Sequence, residues 1–245
     1  MRSLLTPTGT SFLLLADDRP AQPAPTLLLL CGVAVEALTH DDQCRVGRLL
    51  AERGWQVASL DLPCHGADTR PGEPAFLHGW RARVAQGEDI VARVQFKVND
   101  VVAHLITARI AAPGRLVAAG ISRGGFMALH AAAANPAIQA IAALAPVTDL
   151  RTLSEFAGLD EDPLTKRLAL IHQAEVLADR RTWLMICDDD ARVGTDHCIA
   201  FSRALVAAAV KRKREPQVTL VVVPGSGHHS FPDWHDQAAA WLAET

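Results

Sequence analysis

The sequence predicts an α/β protein whose central, mostly parallel sheet is covered by helices on both faces. Three observations support this prediction. Short apolar runs alternate with segments of helical spacing six times along the chain. The apolar runs are continuous, which is typical of strands that are buried on both faces. Glycine, proline or basic residues end the helical segments, as helix C-termini prefer.

The sequence predicts the following strands, loops and helices. Residues 3–5 and 11–16 predict a short antiparallel pair at the edge of the sheet, and 16–25 and 69–74 predict loops. Further strands are expected at 26–31, 55–63, 115–121, 137–146, 181–187 and 217–225. Helices are expected at 44–54, 100–114, 124–136, 164–178, 198–213 and 234–244.

Composition excludes several classes of protein. The 245 residues suffice for one large core, and we expect a single domain over residues 1–245. A net charge of −3 gives no reason to expect a nucleic-acid partner, and no apolar run approaches the roughly 18 residues of a membrane span. The N-terminus lacks a signal-peptide pattern and the five cysteines lack CxxC spacing, which predicts a cytoplasmic protein with reduced thiols. No cofactor is indicated, and the oligomeric state stays open.

A nucleophile motif follows the strand at 115–121. Gly120-Ile121-Ser122-Arg123-Gly124 fits G-x-S-x-G. In this sharp strand-to-helix turn neighbouring side chains would clash, so glycine is needed on both sides of the serine. The N–H of Arg123 can then face a developing oxyanion at the N-terminus of the helix. The motif alone is weak evidence, and a tight turn with a solvated serine is the alternative.

A serine nucleophile needs a base and an acid that orients the base. His228 lies in a glycine loop after the last apolar strand, with the adjacent His229 as the alternative. Consecutive aspartates at 188–190 follow another strand, and Asp149 is a remoter candidate. The chain order Ser, Asp, His admits any of them as the acid. Consecutive carboxylates point in different directions, so we do not expect a metal site there.

Five segments resemble the α/β-hydrolase family over nearly the whole chain: CGV (31–33), DLPCHG (61–66), GISRGG (120–125), DDDARV (188–193) and PGSGHH (224–229). The resemblance implies a single α/β-hydrolase domain with about eight strands. In this family the acid commonly lies three residues before a valine, which implies Asp190 ahead of Asp189 and Asp188. The second oxyanion donor usually follows the third strand, which implies the N–H of Val33. His65 is implied to support loop structure.

Within that family, the GISRGG segment resembles both dienelactone-hydrolase-like esterases and prolyl-oligopeptidase-type catalytic domains. Those peptidases use a tyrosine hydroxyl as an oxyanion donor and carry a further domain that gates peptides. This sequence has no tyrosine and predicts no such domain. We therefore expect a serine hydrolase of small carboxylic esters that acts through Ser122, His228 and Asp190. Peptidase, thioesterase or acyltransferase chemistry, or a non-catalytic binding protein, are the alternatives.

Two segments, 70–97 and 150–180, interrupt the regular alternation of strands and helices. Loops over the C-terminal ends of strands shape ligand pockets. We therefore expect a small lid in which Phe76, Trp80 and Phe156 line the substrate pocket. Ordinary surface helices are the alternative.

Overall fold

The computed structural model describes residues 1–16 and 23–245, so most of the predicted loop at 16–25 lies outside the described residues. The strands are β1 (Arg2–Leu5), β2 (Ser11–Leu15), β3 (Ala24–Leu30), β4 (Gln56–Ser59), β5 (Ala111–Ile121), β6 (Ile138–Leu144), β7 (Arg181–Asp189) and β8 (Val218–Ser226). They form one sheet in the order β1-β2-β4-β3-β5-β6-β7-β8. β2 pairs antiparallel with β1 and with β4, and the remaining pairs are parallel. The predicted edge pair and the mostly parallel sheet are confirmed.

The helices are α1 (Ala34–Thr39), α2 (Asp41–Ala51), α3 (Phe76–Ala85), α4 (Ile90–Thr107), α5 (Arg123–Ala134), α6 (Pro163–Arg167), α7 (Ala174–Leu177), α8 (Thr195–Lys211) and α9 (Pro232–Ala243). The sequence did not predict α1 or α3, and α4 begins earlier than expected. The single helix expected at 164–178 is broken, because Ala169 is extended and Leu170 N–H donates to the carbonyl of Thr148 at 2.8 Å. Within the described residues, no helix combines the length and the apolar character needed to cross a membrane.

Two apolar layers lie on opposite faces of the sheet, and β3 shows how one strand supplies both. Leu28 and Leu30 belong to the larger layer, whereas Leu27 and Leu29 belong to the other. Side chains of a strand alternate between faces, so a continuous apolar run is buried throughout. The larger layer contains side chains of α3, α4, α5 and α8, and the smaller layer contains those of α1, α2 and α9. Helices therefore cover both faces, as the fold class requires.

All five cysteines are buried and free. Burial raises the pKa of the Cys31 and Cys198 thiols to about 12 and that of Cys64 to about 11. These thiols are therefore neutral at physiological pH and act as small apolar side chains.

Two aromatic residues expected to line the substrate pocket are instead part of the core. Trp80 and Phe156 are both 0% exposed and belong to the larger apolar layer. The indole N–H of Trp80 donates to the carbonyl of Pro63 at 2.6 Å, which satisfies its polar atom inside the protein. Trp80 lies on the inner face of α3 together with Leu77 and Val84, at helical spacing. The prediction that Trp80 and Phe156 shape the pocket is wrong for this reason.

A buried charge cluster fixes the segment around α3. The Asp68 carboxylate accepts hydrogen bonds from Arg83 Nη1 (2.6 Å), Lys97 Nζ (2.7 Å) and the backbone N–H of Cys64 (3.1 Å). Arg83 is itself buried and also donates to Glu73 at 2.6 Å. Burial by itself would raise the pKa of Asp68, but the donors from Lys97 and Arg83 outweigh it and lower the pKa to about 2.

Replacing Asp68 by Asn should lower the free energy of unfolding by about 3–5 kcal/mol, because Arg83 loses a charged partner inside the protein. Urea denaturation at neutral pH measures this change. Asp236→Asn is the matched control, since Asp236 pairs with Arg45 at the surface and should cost under about 1 kcal/mol.

The Asp68 contribution should also depend on pH. Its pKa in the folded state is depressed, so the stabilisation is complete above the ordinary value of 3.8 and is lost as the pH falls toward 2. The difference in stability between the wild type and Asp68→Asn should therefore shrink in that range. A constant difference down to pH 2 would contradict the assignment.

Candidate active site

The turn between β5 and α5 carries Ser122 in a strained backbone conformation. Its φ is 54° and its ψ is −119°, a combination that residues with side chains seldom adopt. Two hydrogen bonds to neighbouring segments hold the turn. Ser122 N–H donates to the Leu144 carbonyl at 2.9 Å, and Val147 N–H donates to the Ser122 carbonyl at 3.2 Å. The hydroxyl therefore leaves the backbone at a fixed point where β5 meets the start of α5.

Glycines on either side make this turn possible. A β-carbon on Gly120 would overlap the backbone of Gly124, and one on Gly124 would overlap the carbonyl of Leu30 in β3. A β-carbon on Gly125 would approach Pro146 Cβ at 3.1 Å, and Ala143 Cβ and the Gly120 carbonyl oxygen at 3.3 Å, which is a much milder overlap. The steric reason expected for the G-x-S-x-G pattern is thus present at both of its glycines.

Asp190 and His228 lie at the C-terminal ends of the neighbouring strands β7 and β8. His228 Nδ1 and Asp190 Oδ2 are 2.8 Å apart. The other carboxylate oxygen of Asp190 accepts the N–H groups of Arg192 (3.0 Å) and Val193 (3.2 Å). The Asp190 carboxylate is buried, and so is Val193, at the expected D-x-x-V position. With Nδ1 donating to this acid, a neutral His228 ring presents an unprotonated Nε2.

The alternative residues occupy other positions. His229 is exposed and stacks on Phe231, with ring centroids 5.2 Å apart. Asp188 and Asp189 are exposed at the end of β7. The Asp149 carboxylate accepts hydrogen bonds from Arg151 at 2.5 to 3.1 Å and does not contact His228. Among the described residues, no group of metal-ligating side chains is arranged to hold an ion.

Ser122 and His228 face one cleft of about 250 Å³. It is lined by Cys31, Asp42, Gln43, Leu77, Ile121, Ser122, Arg123, Arg192, His228 and Ser230. The hydrogen bonds of the described residues do not include one between the Ser122 hydroxyl and the His228 ring. Such bonds are often long in ligand-free enzymes and shorten when substrate binds.

The two expected oxyanion donors differ in placement. Arg123 begins α5 and lines the cleft, so its N–H has no partner within the helix. Val33 precedes α1 and lines a different cavity, of about 720 Å³, rather than the cleft at Ser122. Val33 is therefore less directly placed than Arg123, and its role as the second donor stays a prediction.

Sequence reasoning missed several residues of the cleft. Of the segment 70–97, Leu77 reaches the cleft, whereas Phe76 is half exposed and lies beside the Arg123 guanidinium, 5.8 Å from ring centroid to Cζ. Segment 150–180 contributes no lining residue, but its Glu155 binds the cleft residue Arg192 at 2.6 Å. Arg192 lies two residues after Asp190, and Ser230 lies two residues after His228. This closeness to predicted site residues in the sequence could have indicated both of them.

The fold is that of the α/β-hydrolases, and comparison of the sequence with family models identifies the family within that class. The model of the prolyl oligopeptidase family matches residues 95–245, which carry Ser122, Asp190 and His228. This match covers more than half of the chain, so the chain belongs to the prolyl oligopeptidase family of α/β-hydrolases. No curated protein sequence matches the chain.

Solved structures share the fold at low sequence identity. A protein from Thermus thermophilus is 20% identical with a TM-score of 0.72, and the match covers 100% of this chain and 98% of that one. A cold-adapted esterase from an Arctic intertidal metagenomic library is 19% identical with a TM-score of 0.69, covering 99% and 92%. Dipeptidyl peptidase 4 of Porphyromonas gingivalis is 15% identical with a TM-score of 0.68, covering 100% and 35%. The chain thus spans about a third of the length of that peptidase.

Gly124→Ala should disrupt the turn that carries Ser122. We expect it to cost about 3 kcal/mol or more, because the new methyl group meets the rigid backbone of β3. Gly125→Ala is the matched control in the same helix. Its methyl group approaches no atom closer than 3.1 Å, so only a small displacement is needed and the free energy of unfolding should change by about 1 kcal/mol or less. Equal effects of the two substitutions in urea denaturation would contradict this account of the motif.

Proposed function

We propose that this protein is a serine hydrolase that cleaves small carboxylic esters through Ser122, His228 and Asp190. The observation that carries the proposal is the hydrogen bond between His228 Nδ1 and the buried Asp190 carboxylate, in the cleft that Ser122 also lines. An imidazole held in this tautomer next to a serine hydroxyl is the arrangement that activates a serine nucleophile.

The proposed reaction has two stages. In the first, Ser122 Oγ attacks the ester carbonyl carbon while His228 Nε2 takes the hydroxyl proton. The negatively charged oxygen of the tetrahedral intermediate accepts the N–H of Arg123 and that of a second donor, for which Val33 is our candidate. His228 then gives its proton to the departing alcohol oxygen, leaving an acyl group on Ser122.

In the second stage, water attacks the acyl group and His228 removes the water proton. The intermediate collapses, the carboxylic acid leaves, and the proton returns to Ser122. Asp190 keeps the imidazole oriented and stabilises it while it is charged in both stages.

Ester cleavage is favoured over peptide cleavage by the size of the cleft. A volume of about 250 Å³ lies below the usual range for drug-sized ligands and suits a small acyl group. The chain also has no tyrosine, so no phenol can assist the oxyanion. Full-length structural similarity to an esterase supports the same choice. We further propose a cytoplasmic location, which the five free thiols support.

Peptide cleavage is the second candidate, and the family match favours it, since the family is named for oligopeptidases. The same nucleophile and base can serve both reactions. Parallel assays with a small-acid nitrophenyl ester and with aminoacyl and prolyl nitroanilides separate the two. Turnover of the nitroanilides above that of the ester would favour the peptidase.

Labelling with a fluorophosphonate tests the nucleophile directly. The Ser122 oxygen should displace fluoride and form one covalent adduct, which intact-protein mass spectrometry detects. Ser122→Ala should give none. His228→Gln should slow labelling by at least about 100-fold, because the general base is lost. The matched control His229→Gln should label at nearly the wild-type rate. No adduct on the wild type would overturn the proposal and favour a non-catalytic binding protein.

The choice of acid is tested by adjacent substitutions. Asp190→Asn should lower kcat for ester hydrolysis by about 1,000- to 10,000-fold, because an amide favours the wrong imidazole tautomer. Asp189→Asn, at the exposed neighbouring position, should change kcat by less than about 2-fold. Comparable losses in both variants would show that Asp190 has no special role.

A further inference from the structure

The side chain of Arg123 lines the cleft next to the nucleophile and has no carboxylate partner among the described residues. Its Nε is buried and makes no hydrogen bond within that part of the chain. Arg192, the other cleft arginine, differs in that both arms of its guanidinium bind Glu155, at 2.7 and 2.6 Å. The cleft thus contains one arginine in an ion pair and, within the described part of the chain, one arginine without an ion pair.

The guanidinium of Arg123 is held in place by packing. Its Cζ lies 5.8 Å from the centroid of the Phe76 ring, within the range of a cation–π contact. On the other side it lies against Gly32, where a β-carbon would come within 3.4 Å of Arg123 Nη2. The direction of the charged group is therefore set before any ligand binds.

Among the described residues no carboxylate is hydrogen-bonded to Arg123, although the charges of Glu36 and Glu155 act on it from beyond ion-pair distance and that of Arg192 opposes them. Burial raises the pKa of the Cys31 thiol to about 12, so this neighbour is neutral. Burial also lowers the pKa of His65 to about 4, and its Nδ1 bonds the Pro63 carbonyl at 2.7 Å, so this ring is neutral as well. Asp42 lies exposed at the rim and forms no ion pair with Arg123 within the described residues.

A partly buried cation without an ion-pair partner is costly, and burial lowers the pKa of Arg123 below its ordinary value. A guanidinium nevertheless keeps its proton and its charge at any physiological pH. An anionic group of a ligand would compensate this charge, and the planar fork of arginine matches a carboxylate with two parallel hydrogen bonds.

We propose that the substrate carries a carboxylate close to its ester group, as in the half-ester of a short dicarboxylic acid, and that the Arg123 side chain binds it. This inference rests on the proposed function and names the substrate class of the same site. Arg123 then has two parts with separate tasks, a backbone N–H for the oxyanion and a side chain that positions the substrate. The apolar Leu77 can contact the short carbon chain between the two groups.

Two pairs of esters test the proposal and show whether the substrate carboxylate lies on the acyl side or the alcohol side of the ester. In the first pair, monoethyl glutarate is compared with the isostere in which an isopropyl group replaces the carboxylate. In the second, the alcohol portion of a butyrate ester carries either a carboxylate or an isopropyl group. The quantity measured is the ratio of kcat/KM for the charged and the neutral member of each pair. A general loss of activity in a variant cancels in this ratio.

In the wild type the ratio should exceed 1 for at least one pair, which shows whether the carboxylate belongs on the acyl or the alcohol side. In Arg123→Met that ratio should fall by about 10- to 100-fold, the usual effect of losing a hydrogen-bonded charged partner. Arg123→Lys should give an intermediate ratio, because it keeps the charge and loses the fork. Arg203→Met removes one charge from the exposed side of α8 and should leave the ratio within about 2-fold of wild type.

A binding measurement separates this inference from the catalytic proposal. Calorimetric titration of monoethyl glutarate uses Ser122→Ala protein, with and without Arg123→Met. We expect binding in the first and a loss of at least about 10-fold in affinity in the second. Equal affinities, or an unchanged ratio in Arg123→Met, would overturn the role of Arg123 even if fluorophosphonate labels Ser122. Loss of binding on Arg123→Met supports it even if no ester is turned over.

Discussion

The site depends on the close backbone approach between the start of α5 and the end of β3, which only glycine at position 124 permits. This approach brings the N-terminus of the helix, the strained Ser122 and the loop after β3 to one point. The strain at Ser122 is an energetic cost that hydrogen bonds to Leu144 and Val147 offset. Because the turn is fixed by packed backbone on both sides, the hydroxyl does not need to be ordered by the ligand.

The order of the strands in the sheet determines where Asp190 and His228 lie. β7 and β8 are adjacent, so the loops after them meet although Asp190 and His228 are far apart in the chain. Gly227 N–H donates to the Asp189 carbonyl at 2.8 Å and joins the two loops just before the histidine. Parallel strands end at the same edge of a sheet, and this is why residues from β5, β7 and β8 face a common cleft.

Charge compensation distinguishes the parts of the molecule that serve stability from those available to a ligand. The buried charges at Asp68 and Arg83 are compensated by one another and by neighbouring groups, and they anchor α3 beside the cleft. Arg192 is compensated by Glu155. Arg123 has no such partner among the described residues, although it is half-buried and its Nε is fully buried. A partly buried charge without an ion-pair partner is tolerated where a ligand completes the pair, which is the basis of our inference about substrate.

The sequence by itself determined the α/β class, the strands in their chain order, and the residue types of the site, but not the helices α1 and α3. Local rules suffice for these features, since strand burial, helix ends and the glycine motif depend on neighbouring residues. Tertiary structure alone decided that Trp80 and Phe156 belong to the core and that Arg123 has no ion-pair partner among the described residues, and it shows Asp190 buried against His228 where the chain order had admitted any of three aspartates. Burial and charge pairing are set by contacts between segments distant in the chain, and a linear pattern does not contain them.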